Sequence, residues 1–164
     1  MSFDFSTLVT DRTQADVNRV KQIAEKIKNG TASESELAEF NSAAMKGAYN
    51  HTDLNRVTAA MDALKAKLEG YGYNVPGYRY TEPFSEYGWP TPETMTVYLL
   101  NVSAIRAVLA VMKSTPSVPV DMERLLLQEA NNIEIILSDV LQQLTIMPTT
   151  FIPAGEALSG GDNL

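Results

Sequence analysis

Residues 50–70 read NHTDLNRVTAAMDALKAKLEG and carry the clearest structural signal in the chain. Asn50 and Asp53 match a helix capping box in its Asp variant, and Gly70 is a typical helix end. The apolar residues between these limits repeat at intervals of three and four, so they fall on one face of a helix. They are Leu54, Val57, Met61, Leu64 and Leu68. The stretch predicts an amphipathic helix that buries one side in a core.

Two helices are predicted before this one. Thr13 to Asp16 forms a capping box for a helix that runs to about Lys28, where Asn29-Gly30 ends it. Its apolar face is predicted to hold Val17, Val20, Ala24 and Ile27. Ser33 to Glu36 caps a short helix through about Ala44, with Leu37 and Phe40 facing inward.

Two longer helices are predicted in the second half of the chain. Thr91-Pro92 is a strong start signal, since threonine suits the N-cap and proline the first helical position. The predicted core face of this helix comprises Met95, Tyr98, Leu99, Val102, Ile105, Leu109 and Met112. The last helix is predicted from near Asp121 to just before Pro148, with Met122, Leu126, Ile133, Ile136, Val140, Leu144 and Met147 on its apolar stripe.

No segment alternates apolar and polar residues as a half-buried strand does. The sequence therefore predicts an all-α fold, a four-to-five-helix bundle that occupies residues 1–148.

Two segments do not fit the bundle. Residues 71–90 form a predicted irregular loop that holds seven of the thirteen aromatic residues, namely Tyr71, Tyr73, Tyr78, Tyr80, Phe84, Tyr87 and Trp89. Residues 149–164 form a predicted extended arm, with Phe151 and Ile152 among small residues. Long segments without secondary structure are uncommon unless they are functional or disordered. Since tyrosine and tryptophan are enriched at interface hot spots, these rings and the two tail residues are the candidate partner-binding residues. The alternative is that the loop folds across the bundle and its rings cover an open end.

A short repeat links two of the predicted helices. Residues 16–20, DVNRV, recur as residues 53–57, DLNRV, each in the first turns of a capped helix. One interpretation is a duplicated hairpin that presents Asn18/Arg19 and Asn55/Arg56 as a symmetric polar pair. The other is that capping and i,i+3 Asp–Arg pairing favour the same start in both helices.

Composition limits the partners. The chain has no cysteine, which excludes disulfides and thiolate chemistry and fits synthesis in a reducing cytosol. The net charge is −7, and the second half has no basic stripe, so nucleic acid and anionic membranes are not expected partners. No secretory signal is predicted at the N-terminus, and Arg106 argues against a membrane span at residues 95–112.

Motifs for catalysis are not found in the sequence. His51 is the single histidine, and no metal-ligand spacing, phosphate-binding glycine loop or nucleophile motif accompanies it. We therefore expect a non-enzymatic protein without cofactor or metal.

Several stretches together resemble a known family. Residues 3–20 and 45–57 look like parts of a helical family encoded in tail gene clusters of phages and prophages of Gram-positive gut bacteria. Residues 98–106, 118–122 and 129–134, with Gly155-Glu156, are similar in the same order. The resemblance implies a virion structural role at the tail tip, baseplate or fibre attachment, and it offers no catalytic residues. In longer relatives the helical unit precedes domains of a fibre or receptor-binding kind.

The leading hypothesis is thus a structural adaptor of the phage tail that binds other tail proteins and copies of itself. One alternative is a receptor- or carbohydrate-binding module that uses the 71–90 rings. A second is a free cytosolic helical regulator.

Overall fold

A computed structural model describes residues 3–88 and 90–150 of the protein, with side chains up to Met147 in the last helix. It contains a 3-10 turn at Phe5–Thr7 and five α-helices. These are α1 (Gln14–Lys28), α2 (Glu34–Asn41), α3 (His51–Gly70), α4 (Pro92–Val108) and α5 (Leu127–Thr150). The described residues contain no β-strand, so the predicted all-α bundle is confirmed.

The core lies between α3, α4 and α5, which pack against one another in all three pairings. The five apolar residues predicted on α3 are all buried, as are Tyr98, Leu99, Val102 and Ile105 on α4. On α5 the buried apolar residues are Ala130, Ile133, Ile136, Leu137, Val140 and Leu144. The three-four spacing therefore identified the core faces within these helices. The prediction was wrong for Leu126, which precedes α5 and is 64% exposed, and Met122 also lies outside the helix.

The hairpin of α1 and α2 stands apart from that core. Arg19 and Lys26 of α1 pair with Glu39 and Glu36 of α2 at 2.7 and 2.6 Å, and Ile23 is the one residue of the two helices that is fully buried. Ala24 is exposed, against expectation. The prediction that Leu37 and Phe40 face inward was also wrong, since they remain 38% and 39% exposed. The reason is that α2 packs along α1 rather than on the core, so its outer apolar edge has no cover.

Three helix boundaries differ from the prediction. The fourth helix ends at Val108, not near Met112, because the chain turns back and Arg106 donates hydrogen bonds to the carbonyls of Thr115 and Pro116. The last helix begins at Leu127, where the Glu129 carboxylate accepts the Leu126 N–H. It also continues past Pro148 to Thr150, beyond the predicted end. Residues 151–164, with most of the predicted arm, lie outside the described part of the chain.

The second helix also ends early, at Asn41, and a tight connection then leads to α3. Ala43 adopts a positive φ of 52°, and its carbonyl accepts hydrogen bonds from the Asn50 amide and the Thr52 hydroxyl. This connection crosses the first turn of α1 at Gly47. A Cβ atom at Gly47 would overlap the backbone carbonyl of Asp16. Residue 47 must therefore be glycine for the connection to approach α1 this closely.

We expect Gly47→Ala to lower the free energy of unfolding by about 1–3 kcal/mol, because backbone must move to admit the methyl group. Gly70→Ala is the matched control, since nothing lies within 4 Å of a Cβ at that position. Urea unfolding of both variants measures the difference. Equal stability of the two variants would show that the close approach does not constrain the fold.

Candidate functional site

A buried network of four charged side chains joins the N-terminal segment to the core. Arg12, which precedes α1, contacts Asp53 of α3 at 2.9 Å and Glu134 of α5 at 2.7 Å. Arg56 contacts the same two carboxylate oxygens at 2.7 and 2.8 Å. The Glu134 side chain is fully buried, and those of Arg12 and Asp53 are 3% and 8% exposed. Arg56 lies at the edge of the network, with its side chain 20% exposed. Two positive and two negative groups thus balance one another.

Further hydrogen bonds hold residues 9–12 as a strap across α3 and α5. The Val9 N–H donates to the second oxygen of Glu134 at 2.6 Å, and an Arg12 guanidinium nitrogen donates to the Val9 carbonyl. Each acceptor oxygen of Glu134 therefore has a donor from the strap. Since an ionised carboxylate in the interior needs such partners, the network fixes where the strap lies.

The two guanidinium groups sit in different surroundings. Burial lowers the pKa of Arg56, but its hydrogen bonds and charge interactions with Glu134 and Asp53 more than offset that effect, so the pKa is raised. The Arg12 guanidinium lies 5.2 Å from the centre of the Tyr49 ring. The Tyr49 hydroxyl shares a 2.7 Å hydrogen bond with the buried Tyr98 hydroxyl, and burial raises the pKa of both phenols.

Three asparagines clasp extended backbone in the same way. Each side-chain amide accepts the N–H of one residue and donates to the carbonyl of that same residue, as a neighbouring strand would. Asn131 clasps Arg12, both bonds at 3.0 Å. Asn101 clasps Arg79 at 2.8 and 2.7 Å, and Asn55 clasps Phe84 at 2.7 and 2.9 Å. The strap and the loop between α3 and α4 are thereby fixed to the helices.

These clasps determine where the predicted aromatic residues lie. Tyr73, Tyr78 and Phe84 pack against the core cluster, and the Tyr78 hydroxyl donates to Asp62 at 2.6 Å. Burial raises the Tyr78 pKa, and the Asp62 carboxylate raises it further. These three rings therefore cover the bundle.

The remaining predicted site residues divide into two groups. Tyr71, Tyr80 and Tyr87 are 54%, 71% and 90% exposed, so their rings are accessible to a partner. Trp89, Phe151 and Ile152 lie outside the described residues. The rings of the loop therefore do not form one common surface.

A groove of about 1100 Å³ opens beside the strap. Its walls are α1, α4 and the irregular segment 118–126, with Arg12 and Tyr49 among its lining residues. Most of the lining side chains are apolar, and Leu100, Val120 and Leu126 at the groove are 48%, 94% and 64% exposed. Lys21 and the carboxylates of Asp121 and Glu123 supply charge. An open apolar groove of this size is suited to binding apolar side chains of another molecule.

Groups of three or more possible metal ligands are not found among the described residues. Within the same ranges, no helix is both long and apolar enough to cross a membrane. The chemistry of the groove is that of an apolar surface with few charged groups.

Sequence reasoning missed the network, the clasps and the groove. The i,i+3 pairing of Asp53 with Arg56 is confirmed at 2.7 Å, but the symmetric interpretation of the repeat is not supported. In α1 the equivalent Arg19 pairs with Glu39, and Asn18 is exposed. One feature of the sequence could have indicated the network and the clasps. Asn101, Asn131 and Glu134 are polar residues within helix faces that are otherwise apolar and predicted to be buried.

We expect Glu134→Gln to lower the free energy of unfolding by about 3–5 kcal/mol, because it leaves the buried Arg12 and the partly buried Arg56 with one carboxylate. Glu39→Gln removes a carboxylate from an exposed pair and should cost much less. Urea denaturation measures both. If both variants unfolded at the same urea concentration, the network would not be a main source of stability.

We also expect Asn55→Ala to release the loop, since it leaves the N–H and carbonyl of Phe84 without the amide. The amide of Phe84 should exchange with solvent faster, and stability should fall by about 1–3 kcal/mol. Asn18→Ala, at the equivalent position of the repeat, is the control and should change neither quantity. Unchanged exchange at Phe84 would contradict the proposed clasp.

No family model matches the sequence, and neither the curated proteins nor the solved structures give a significant match. Functional assignment therefore depends on the residues and geometry of this chain.

Proposed function

We propose that the protein is a non-enzymatic structural adaptor of a phage tail, located at the tail tip, baseplate or fibre attachment. It acts by protein–protein contacts and is present in several copies. The observation that carries the proposal is the open apolar groove between α1, α4 and residues 118–126. The resemblance of residues 3–20 and 45–57 to helical tail proteins supports the location.

The groove favours a docking role for a physical reason. Leu100, Val120 and Leu126 expose apolar surface at the edge of a cavity that the described residues, 3–88 and 90–150, leave open. Covering that surface is favourable by about 25 cal/mol for each square ångström removed from water. Contiguous apolar surface on a monomer is typical of interaction sites.

Rigidity supports the same role. The strap that borders the groove is held by the buried charges and by the Asn131 clasp, so this wall is formed before a partner arrives. A preformed surface loses less conformational entropy when it binds than a surface that must first become ordered. The exposed rings of Tyr80 and Tyr87 supply a second contact surface on the loop between α3 and α4.

The test is mass spectrometry of purified virions from the producing strain. We expect the chain in fixed stoichiometry, and we expect Leu126→Asp to abolish its incorporation, because a carboxylate would then be buried at the groove. Ser35→Asp, at an exposed polar position of α2, is the control and should be incorporated normally. Particles that lack the wild-type chain would refute the adaptor role.

A carbohydrate-binding module is the second candidate, favoured by the exposure of Tyr80 and Tyr87. Sugar rings stack on such side chains. Binding of host cell-wall polysaccharide that Tyr80→Ala removes and Leu126→Asp leaves intact would favour this alternative.

A further inference from the structure

We propose that the groove receives helix α2 of a second copy of this chain, so that copies associate head to tail. The inference rests on the proposed docking role of the groove and names its occupant. It starts from two of the apolar surfaces that the described residues expose, one concave and one convex.

The convex surface is the outer edge of α2. Leu37 and Phe40 are one turn apart and remain 38% and 39% exposed, although α2 already packs along α1. Glu34 continues the same stripe at the start of the helix, because it lies three residues before Leu37. The edge thus presents two apolar side chains with a carboxylate at one end.

The groove has room for the exposed edge of a short helix. Helix α2 has 8 residues and is therefore about 12 Å long, and the groove has a volume of about 1100 Å³. Only the outer edge of α2 can enter, because the opposite side of the helix packs on α1.

One charged group on each surface can pair with the other, beside the carboxylates of Asp121 and Glu123 that also line the groove. Lys21 lines the groove from α1, and it has no ion-pair partner within residues 3–88 and 90–150. Glu34 is likewise exposed, and no described cation lies within ion-pair distance of it. The carboxylate at the start of α2 in one copy can therefore pair with Lys21 of the next.

Helix α2 does not reach the groove of its own molecule. Gln14, Val17 and Lys21 of α1 line the groove, whereas Arg19 and Lys26 of α1 reach α2. At about 100° per residue these two sets lie roughly 160° apart around the helix. Since α2 and the groove lie on opposite sides of α1, the α2 edge cannot reach the groove of its own molecule and is available to the groove of another copy.

A contact between two different surfaces differs from a two-fold dimer. Each copy uses its α2 edge on one neighbour and its groove on the other, which produces a closed ring or an open chain of subunits. The exposed rings of the loop stay available for other tail proteins. The single contact is small, so we expect weak association that depends on concentration.

Sedimentation velocity of the full chain over about 10–500 µM tests the proposal, since contacts of this size dissociate in that range. We expect the wild type to form species larger than a dimer as concentration rises. Phe40→Asp removes the convex surface, and Leu100→Asp removes the concave one. Each variant alone should remain monomeric, and Val111→Asp, a change at an exposed apolar residue outside both surfaces, should associate as the wild type does.

The decisive experiment mixes the two defective variants. Phe40→Asp retains a groove and Leu100→Asp retains an α2 edge, so the mixture should form a one-to-one dimer and nothing larger. Circular dichroism checks that both variants are helical, and Leu37→Asp and Ser103→Glu replace them if either is not. A mixture that stays monomeric, or a wild type that is monomeric throughout, would overturn the proposal. A monomeric wild type that is still found in virions would leave the adaptor role intact, and the two ideas therefore fail separately.

Discussion

The buried pairing of Arg12 and Arg56 with Asp53 and Glu134 is the interaction on which the rest of the structure depends. It is costly to bury four charges, and the cost is offset only because every carboxylate oxygen has a nearby donor. The network joins elements far apart in sequence, since Arg12 and Glu134 are separated by 122 residues. It therefore fixes the strap on α3 and α5, and the strap in turn sets where α1 begins and where the groove opens.

The asparagine clasps likewise give polar groups their hydrogen-bond partners, here the polar groups of irregular backbone. An extended segment must satisfy its N–H and carbonyl groups, and here the amides of Asn55, Asn101 and Asn131 do so in place of a neighbouring strand. Loop and strap can thus lie on an all-helical core without a sheet. This explains why three aromatic rings of the loop cover the bundle while Tyr80 and Tyr87 remain in solvent. The same loop thus covers part of the core and exposes two tyrosine rings to solvent.

The sequence predicted helices and core faces well, because capping boxes and three-four spacing are local patterns. Residues 50–70 form helix α3 with the predicted cap and the predicted buried face. The sequence could not predict where Leu37 and Phe40 point, since their direction depends on the packing of α2 on α1 alone. Nor could it predict the groove or the charge network, because both arise from contacts between distant segments. Polar residues within apolar stripes, such as Glu134, were the one local sign of such contacts.

The central claim is that the groove is covered by another chain when the protein works. Residues 118–126 line it with irregular backbone, which exchanges amide hydrogens quickly unless something protects it. Hydrogen exchange of these amides, compared between the dilute chain and the chain in purified particles, is the most direct measurement. The account predicts slow exchange at residues 118–126 in the particle and fast exchange in the dilute chain. Equal exchange in both states would contradict it.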